Sequence, residues 1–184
     1  MKSLETEHTD TAHFEIERKF LIAMPDRGML ESFPGASRLD MTQTYLKCGE
    51  GDSRRVRKSS SGRSIIYTLT SKKHITNIRR IEDEKEVSRS EYESLLSEAD
   101  PDKRSIIKTR YRIPYEGNML EIDIYSFWDD RATLEIELES EDARYVIPPW
   151  INVIKEVTED PRYTNSSLAG MLAREKRTDI ICFF

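Results

Sequence analysis

Apolar and polar residues alternate along short segments that cover much of the chain. In FEIERKF, residues 14–20, alternation with a period of two sends Glu15, Glu17 and Lys19 to one side and the aromatic and aliphatic residues to the other. Strand-like runs occupy residues 14–23, 41–48, 53–58, 63–72, 79–87, 105–113, 119–125 and 132–139. Glycine-containing turn signals separate several of them. The pattern predicts about eight antiparallel strands.

Three other segments show helical spacing. Asp26 is a candidate N-cap for a short helix carrying Leu30. Ser90 and Glu93 form a capping-box pattern at the start of a second helix, and a third is expected near Asn165. Many strands with few helices predict a mainly β (α+β) fold, which we expect to be an eight-stranded antiparallel β-barrel with flanking helices.

The composition limits the domain organisation and the possible partners. The 184 residues favour one domain, expected at 14–177, between a polar leader at 1–13 and a tail at 178–184. No apolar run is long enough to cross a membrane and no signal peptide is evident, so we expect a cytoplasmic protein with no membrane partner. A net charge of -5 disfavours non-specific nucleic-acid binding. We therefore expect no clear nucleic-acid partner.

The few cysteines and histidines disfavour two kinds of structure. Cys48 and Cys182 are the only cysteines, and we expect reduced thiols rather than a disulfide framework. His8, His13 and His74 are scattered, which disfavours a zinc site. Any bound metal should be a hard cation held by carboxylates.

Charged residues recur at every second position on nearly every predicted strand. In one arrangement the charges face solvent around an apolar interior. In the other, the apolar faces point outward beneath helices or a partner subunit, and the charges line a polar tunnel. The amphipathic helices need an apolar surface to cover, which favours the second arrangement. The alternation by itself leaves both open.

A charged interior would contain both acidic and basic groups. Isolated buried charges cost several kcal/mol each unless they are paired or bound to a ligand. Carboxylates spaced two apart on a strand suit a divalent cation, and lysine and arginine suit phosphate. Together they suit a metal-bound polyphosphate.

Seven ordered motifs carry a resemblance to a known family. They are E-x-E-x-K (Glu15, Glu17, Lys19), R-x-R (Arg55, Arg57), a strand-end lysine (Lys72), R-x-E-x-E (Arg80, Glu82, Glu84), K-x-R (Lys108, Arg110), E-x-D (Glu121, Asp123) and E-x-E (Glu135, Glu137). Over residues 14–172 the chain resembles the CYTH superfamily, the triphosphate tunnel metalloenzymes. It is most similar to the short bacterial inorganic triphosphatases.

The resemblance implies a role for each matched residue. The implied metal ligands are Glu15, Glu17, Glu135, Glu137 and Asp123, and the implied cofactors are two Mg²⁺ or Mn²⁺ ions. The implied triphosphate-binding residues are Lys19, Arg55, Arg57, Lys72, Arg80, Lys108, Arg110 and Arg162. The implied catalytic residues are Glu135, Glu137 and Lys72, and the implied tunnel-lining residues are Glu82, Glu84 and Glu121.

The tail and the choice of substrate leave alternatives open. Residues 147–169 resemble a closing segment in which the C-terminal helix plugs one tunnel end, and Lys155 or Arg162 is a candidate to reach the phosphates. The expected activity is metal-dependent hydrolysis of tripolyphosphate to pyrophosphate and phosphate, in a monomer or homodimer. The alternatives are a class IV adenylate cyclase, a thiamine triphosphatase and a non-catalytic polyphosphate- or nucleotide-binding module.

Overall fold

A computed structural model describes residues 16–49, 52–74 and 80–181, with the side chains of all of these except 72–74, 80–82 and 176–181. The leader and Glu15 therefore lie outside the described residues, as does Cys182. The strands are β1 (Ile16–Ala23), β2 (Ser37–Leu46), β3 (Ser53–Ser61), β4 (Ser64–His74), β5 (Arg80–Glu86), β6 (Ile106–Tyr115), β7 (Asn118–Tyr125), β8 (Arg131–Leu138) and β9 (Val153–Glu156). The α-helices are α1 (Arg27–Ser32), α2 (Arg89–Leu95) and α3 (Asn165–Ile181).

The nine strands form one sheet in the order β5-β4-β3-β2-β6-β7-β8-β1-β9. Every neighbouring pair is antiparallel. The mainly β class is confirmed, but the count and the closure differ from the predicted eight-stranded barrel. In the part of the chain that the structure describes, the sheet is open, with β5 and β9 at its edges. The ninth strand comes from the closing segment, which pairs with β1.

Local capping explains where two of the helices begin. The Asp26 carboxylate accepts a hydrogen bond from the Met29 backbone N–H at 2.7 Å, which confirms the predicted start of α1. The capping box of α2 consists of Ser88 and Glu91, two residues before the predicted pair. The Ser88 hydroxyl accepts from the Glu91 N–H at 3.2 Å, and the Glu91 carboxylate accepts from the Ser88 N–H at 2.7 Å.

One sheet face, here called the apolar face, packs against two of the helices. Leu30 of α1 joins a cluster with Ile22, Ile122 and Leu134, against which Trp150 also packs. Tyr92 of α2 and two strand residues form a second cluster on the same face. The helices thus cover the apolar face, as the second predicted arrangement requires.

The opposite face, here called the charged face, carries the charged motifs. Residues directly opposite each other on paired strands project to the same side. In this register Glu17 lies opposite Glu137, Lys19 opposite Glu135, and Arg110 opposite Asp123. An apolar cluster covers one end of this face, where Tyr45, Ile106 and Tyr125 pack against Leu168 and Ala169 of α3. Among the described residues no helix is both long and apolar enough to span a bilayer.

Candidate active site on the charged sheet face

Arg110 stands at the centre of the charged face. Its Nε and Nη2 lie 2.7 Å from the two carboxylate oxygens of Asp123, and Nη2 lies 2.6 Å from Glu135 Oε2. Its Nη1 also contacts Glu121. Burial by itself lowers the pKa of Arg110, but the hydrogen bonds and charge of Asp123 and the charges of Glu135 and Glu121 raise it overall. Three strands are thereby joined through one guanidinium.

Lys108 and Asp123 form a fully buried ion pair beside Arg110. Lys108 Nζ lies 2.5 Å from Asp123 Oδ2, and the side chains of the two residues are 3% and 0% exposed. Burial lowers the pKa of Lys108 despite the neighbouring carboxylate. Burial acts to raise the pKa of Asp123, but Lys108 and Arg110 outweigh it and hold that pKa well below its usual range. Both carboxylate oxygens of Asp123 thus contact cationic groups.

Lys19 links β1 to β8. Its ammonium lies 2.7 Å from Glu135 Oε1, and both side chains are buried. Burial acts to raise the pKa of Glu135, but the charge of Lys19, with those of Lys108 and Arg110, lowers it overall. Glu135 therefore stays ionised at neutral pH. Glu121 differs, because burial dominates and raises its pKa despite Arg110.

Glu17 and Glu137 present two exposed carboxylates beside this network. They are directly opposite each other on β1 and β8. Like charges in that position destabilise a sheet, and a divalent cation between them would relieve the repulsion. Their oxygen donors are those that Mg²⁺ and Mn²⁺ prefer. In residues 16–49, 52–74 and 80–181, no three acidic, histidine or cysteine groups are placed to hold a metal ion as they stand, and Glu15 lies outside these ranges.

A second group of charges spans β3, β4 and β5. Arg57 Nη2 lies 2.8 Å from Glu84 Oε1, and the Thr70 hydroxyl donates to Glu84 Oε2 at 2.6 Å. Arg55 Nη2 lies 4.0 Å from Glu84 Oε2. Burial lowers the pKa of Arg57, partly offset by Glu84. One carboxylate thus neutralises part of the charge of an arginine pair.

Two buried polar groups in this region can donate hydrogen bonds to a ligand. Arg57 Nε and the Thr68 hydroxyl have no hydrogen-bond partner in the part of the chain that the structure describes. Thr68 lies directly opposite Arg57 on β4, so both project to the charged face. Buried polar groups are usually satisfied, and unmatched donors beside an arginine pair are expected where an anion binds.

The other predicted phosphate-binding residues lie at the β4–β5 edge of the sheet, in β9 or in the segment that follows it. The backbone register puts Lys72 opposite Glu82 and Arg80 opposite His74, and the orientation of these side chains is not described. Arg162 pairs with Asp160 at 2.6 Å, and its side chain is 78% exposed. Lys155 lies opposite Leu21, on the side of the sheet that carries Lys19, with Nζ 3.9 Å from Asp160.

Strand β2 contributes polar residues that the motif search did not select. Gln43 lies opposite Arg57, Tyr45 lies opposite Arg55, and Gln43 Nε2 donates to the Tyr45 hydroxyl at 2.7 Å. Both residues are buried. Alternation in MTQTYLKC puts them on one face, but only the register shows that this face is shared with the arginines.

Helix α3 closes one end of this face. The Tyr125 hydroxyl donates to Asn165 Oδ1, at the start of α3, at 2.9 Å. Trp128 packs edge-on against Tyr125 with ring centroids 5.1 Å apart. Ligand access is therefore restricted at this end by apolar side chains, and the charged residues are the groups left to contact a ligand. The face combines lysine and arginine side chains, which suit phosphate, with carboxylates, which suit a metal ion or water. Both kinds of group are needed to cleave a phosphoanhydride.

Comparisons with known proteins give one consistent result. Residues 13–159 match the model of the CYTH domain family. An inorganic triphosphatase of Nitrosomonas europaea is 34% identical over 160 residues, which cover 84% of this chain and 96% of the relative. One from Acetivibrio thermocellus is 34% identical over 155 residues, covering 84% and 92%. The crystal structure of an inorganic triphosphatase superposes with a TM-score of 0.58 at 30% identity, covering 86% of this chain and 95% of that one.

Proposed function

Because the chain belongs to the CYTH domain family, we propose that it hydrolyses inorganic tripolyphosphate to pyrophosphate and phosphate on the charged face of its sheet. The observation that carries this proposal is the arginine pair Arg55 and Arg57 beside two buried groups, Arg57 Nε and the Thr68 hydroxyl, that have no hydrogen-bond partner among the described residues. The relatives support the same substrate, since both sequence matches are named inorganic triphosphatases. Those names give no support to cyclase or thiamine triphosphatase activity.

The bases would hold the triphosphate by charge-assisted hydrogen bonds. Arg57 and Arg55 both lie beside the Glu84 carboxylate, and Arg57 Nε has no partner among the described residues, so a phosphate oxygen can take that donor. Lys19 and Arg110 would contact phosphate from the other half of the sheet. Lys108, fully buried against Asp123, would act by fixing the orientation of that carboxylate and of Arg110. Lys72 and Arg80 remain proposed phosphate contacts at the β4–β5 edge.

Divalent cations, which we propose to be two Mg²⁺ or Mn²⁺ ions, would be held by Glu17, Glu135 and Glu137, together with Glu15, two residues before Glu17 in the sequence. When bound, they would neutralise phosphate charge and make a coordinated water more acidic. In the reaction, the water oxygen forms a bond to a terminal phosphorus while the bridging P–O bond breaks. The electron pair leaves with pyrophosphate, and the water proton goes to a carboxylate.

Glu135 is the proposed acceptor of that proton, or the group that orients the water. Lys19 holds its pKa low, so it is an ionised acceptor at neutral pH. Glu137 lies two residues further along the same strand face and is the second candidate. Preplaced cationic donors stabilise the charge that develops on the phosphate oxygens, and the loss of one such donor typically slows a reaction about 100- to 1,000-fold.

The test is product identification with purified protein, Mg²⁺ or Mn²⁺, and tripolyphosphate, ATP or thiamine triphosphate in separate reactions. We expect orthophosphate chiefly from tripolyphosphate. Cyclic AMP with pyrophosphate from ATP would instead identify a cyclase, and turnover of none of the three would identify a binding module.

Two variants test the assignment of the site. Arg57→Ala and Glu17→Ala should each nearly abolish phosphate release while the protein stays folded. Arg38→Ala is the matched control, because Arg38 is exposed on the opposite face and pairs with Asp40. Full activity in either site variant would remove that residue from the site.

A further inference from the structure

Strand β6 carries a third base on the charged face, beyond the two that the motifs select. Lys108, Arg110 and Arg112 occupy alternate positions, so their side chains project to the same side. These side chains become more exposed along the strand, at 3%, 14% and 46%. Lys108 lies opposite Tyr125, at the end that α3 covers. Arg112 therefore stands at the solvent-exposed end of this row of bases.

The strand register places Arg112 in line with residues of the candidate site. Arg112 lies opposite Glu121 on β7, which lies opposite Glu135 on β8. Glu135 in turn lies opposite Lys19 on β1. Strands β6 and β8 are separated by one strand, a distance of about 10 Å. An elongated anion that lies across β7 can therefore contact groups on both sides of that strand.

Arg110 and Arg112 differ in the donors that they have left for a ligand. A guanidinium has five N–H donors. Those of Arg110 contact three carboxylates, Asp123, Glu135 and Glu121. Arg112 is paired with Glu121 alone in the part of the chain that the structure describes, with Nε 3.1 Å from Oε1. One carboxylate accepts two N–H groups in a bidentate pair, which leaves three donors of Arg112 for an anion.

The partner of Arg112 is shared with a second arginine. An exposed arginine paired with one carboxylate usually contributes little to stability. Here the carboxylate belongs to Glu121, which is buried and contacts Arg110 through its other oxygen. If Arg112 turns to a ligand, Glu121 keeps a cationic partner, so no buried carboxylate is left unpaired. Arg112 can thus exchange one anionic partner for another at little cost in stability.

We infer that Arg112 is a further substrate-binding residue, which exchanges its contact with Glu121 for a phosphate oxygen at the outer end of the bound tripolyphosphate. This inference rests on the proposed function. Arginine binds phosphate oxygens through two parallel N–H···O bonds. The contact acts alongside those proposed for Lys19, Arg55 and Arg57. Because it is the same before and during the chemical step, Arg112 contributes to substrate affinity rather than to kcat.

The experiment compares Arg112→Gln with Arg38→Gln, which is a closely matched control. The two side chains are 46% and 52% exposed, and each lies 3.1 Å from a carboxylate, Glu121 for Arg112 and Asp40 for Arg38. They lie on adjacent strands but on opposite faces, because Arg38 lies opposite Tyr111. Both substitutions remove one positive charge, so any effect of net charge acts equally on both variants.

The expected change is in KM. Arg112→Gln should raise KM for tripolyphosphate about tenfold, at the low end for hydrogen bonds to charged groups because the side chain is half-exposed. Its kcat should stay within about twofold of the wild-type value. Arg38→Gln should keep the wild-type KM and kcat. The melting temperatures of the two variants should be similar, since each loses one partly exposed ion pair.

Two further measurements separate substrate contact from a structural role. Arg112→Lys keeps the charge but loses the bidentate geometry, so its KM should lie between those of the wild type and Arg112→Gln. Salt screens a half-exposed contact, so the ratio of KM between Arg112→Gln and the wild type should narrow as ionic strength rises.

The outcomes distinguish this inference from the proposed function. If KM is the same in Arg112→Gln and Arg38→Gln, or if Arg112→Gln loses only melting temperature, the role of Arg112 is overturned while wild-type hydrolysis still supports the proposed function. A wild-type protein that neither binds nor cleaves tripolyphosphate would overturn both. A rise in KM confined to Arg112→Gln, partly restored in Arg112→Lys, supports the inference.

Discussion

The buried pair of Lys108 and Asp123 gives the sharpest stability prediction. Asp123→Asn keeps the shape of the side chain but removes its charge. Lys108 would then be buried with its ammonium facing a neutral amide, while Arg110 would keep Glu121 and Glu135. The loss of unfolding free energy therefore comes mainly from the unpaired Lys108 ammonium.

Two estimates of that cost agree. Breaking a buried ion pair by removing one partner typically costs about 3–5 kcal/mol. Lysine can instead lose its proton, and deprotonating a group with an ordinary pKa of about 10.4 at pH 7 costs about 4.6 kcal/mol. Since the pKa of Lys108 is already lowered by burial, deprotonation sets an upper bound on the loss. We expect Asp123→Asn to lose about 3–4 kcal/mol of unfolding free energy at pH 7.

Urea unfolding followed by circular dichroism measures this loss. With a slope of about 2–3 kcal/mol per M, the midpoint should fall by roughly 1–2 M. The variant should also recover stability between pH 7 and 9, because its unfolded state binds more protons at Lys108 than its folded state does. Adding Lys108→Met should restore most of the loss at pH 7. A loss below about 1 kcal/mol, or one that the second substitution does not repair, would refute this reasoning.

Three further predictions follow from the same structure. The stability difference between the wild type and Asp123→Asn should shrink as the pH falls below about 4. The pKa of Asp123 is lower in the folded state than in the unfolded state, so its stabilisation is present above the unfolded-state pKa and is lost as the pH falls through the folded-state pKa. A difference in unfolding free energy that stays constant with pH in urea titrations would contradict this prediction. Gly35→Ala should lower the stability more than Gly62→Ala. Both glycines have positive φ, 77° and 57°, but only at Gly35 would an added Cβ lie 2.9 Å from Pro114 Cγ. Equal melting temperatures of the two variants would count against this prediction. Treatment with EDTA should stop phosphate release and excess Mg²⁺ or Mn²⁺ should restore it, whereas activity that survives thorough chelation would exclude the proposed metal role.

Much of the candidate site could be predicted because strand alternation is a local property. Lys19, Glu135, Arg110 and Asp123 occupy alternate positions in their strands, so each sequence segment by itself assigns its charges to one side. The predicted charged face and the predicted helix cover on the apolar face are both confirmed. Asp26 likewise caps α1 because the capping residue and the helix it begins are neighbours in the chain.

Other features could not be predicted because they depend on contacts between distant residues. The sequence assigns Asp123 to the charged face, but only the pairing of β6 with β7 shows that Lys108 and Arg110 contact its two oxygens. The short strand β9 has weak alternation and forms because β1 offers an unpaired edge. All four residues of β9 are exposed, so backbone pairing with β1, rather than burial or local propensity, decides its conformation.

The sequence by itself determined which residues share a face, because side chains on a strand alternate whatever lies beside them. It also determined the charge available on that face for a metal-bound triphosphate. Only the tertiary structure decided which charges neutralise each other, that the described sheet stays open between β5 and β9, and that Gln43 and Tyr45 lie against the arginines. Those outcomes depend on register and burial, since a carboxylate beside two bases and a carboxylate facing another carboxylate differ in what they can bind.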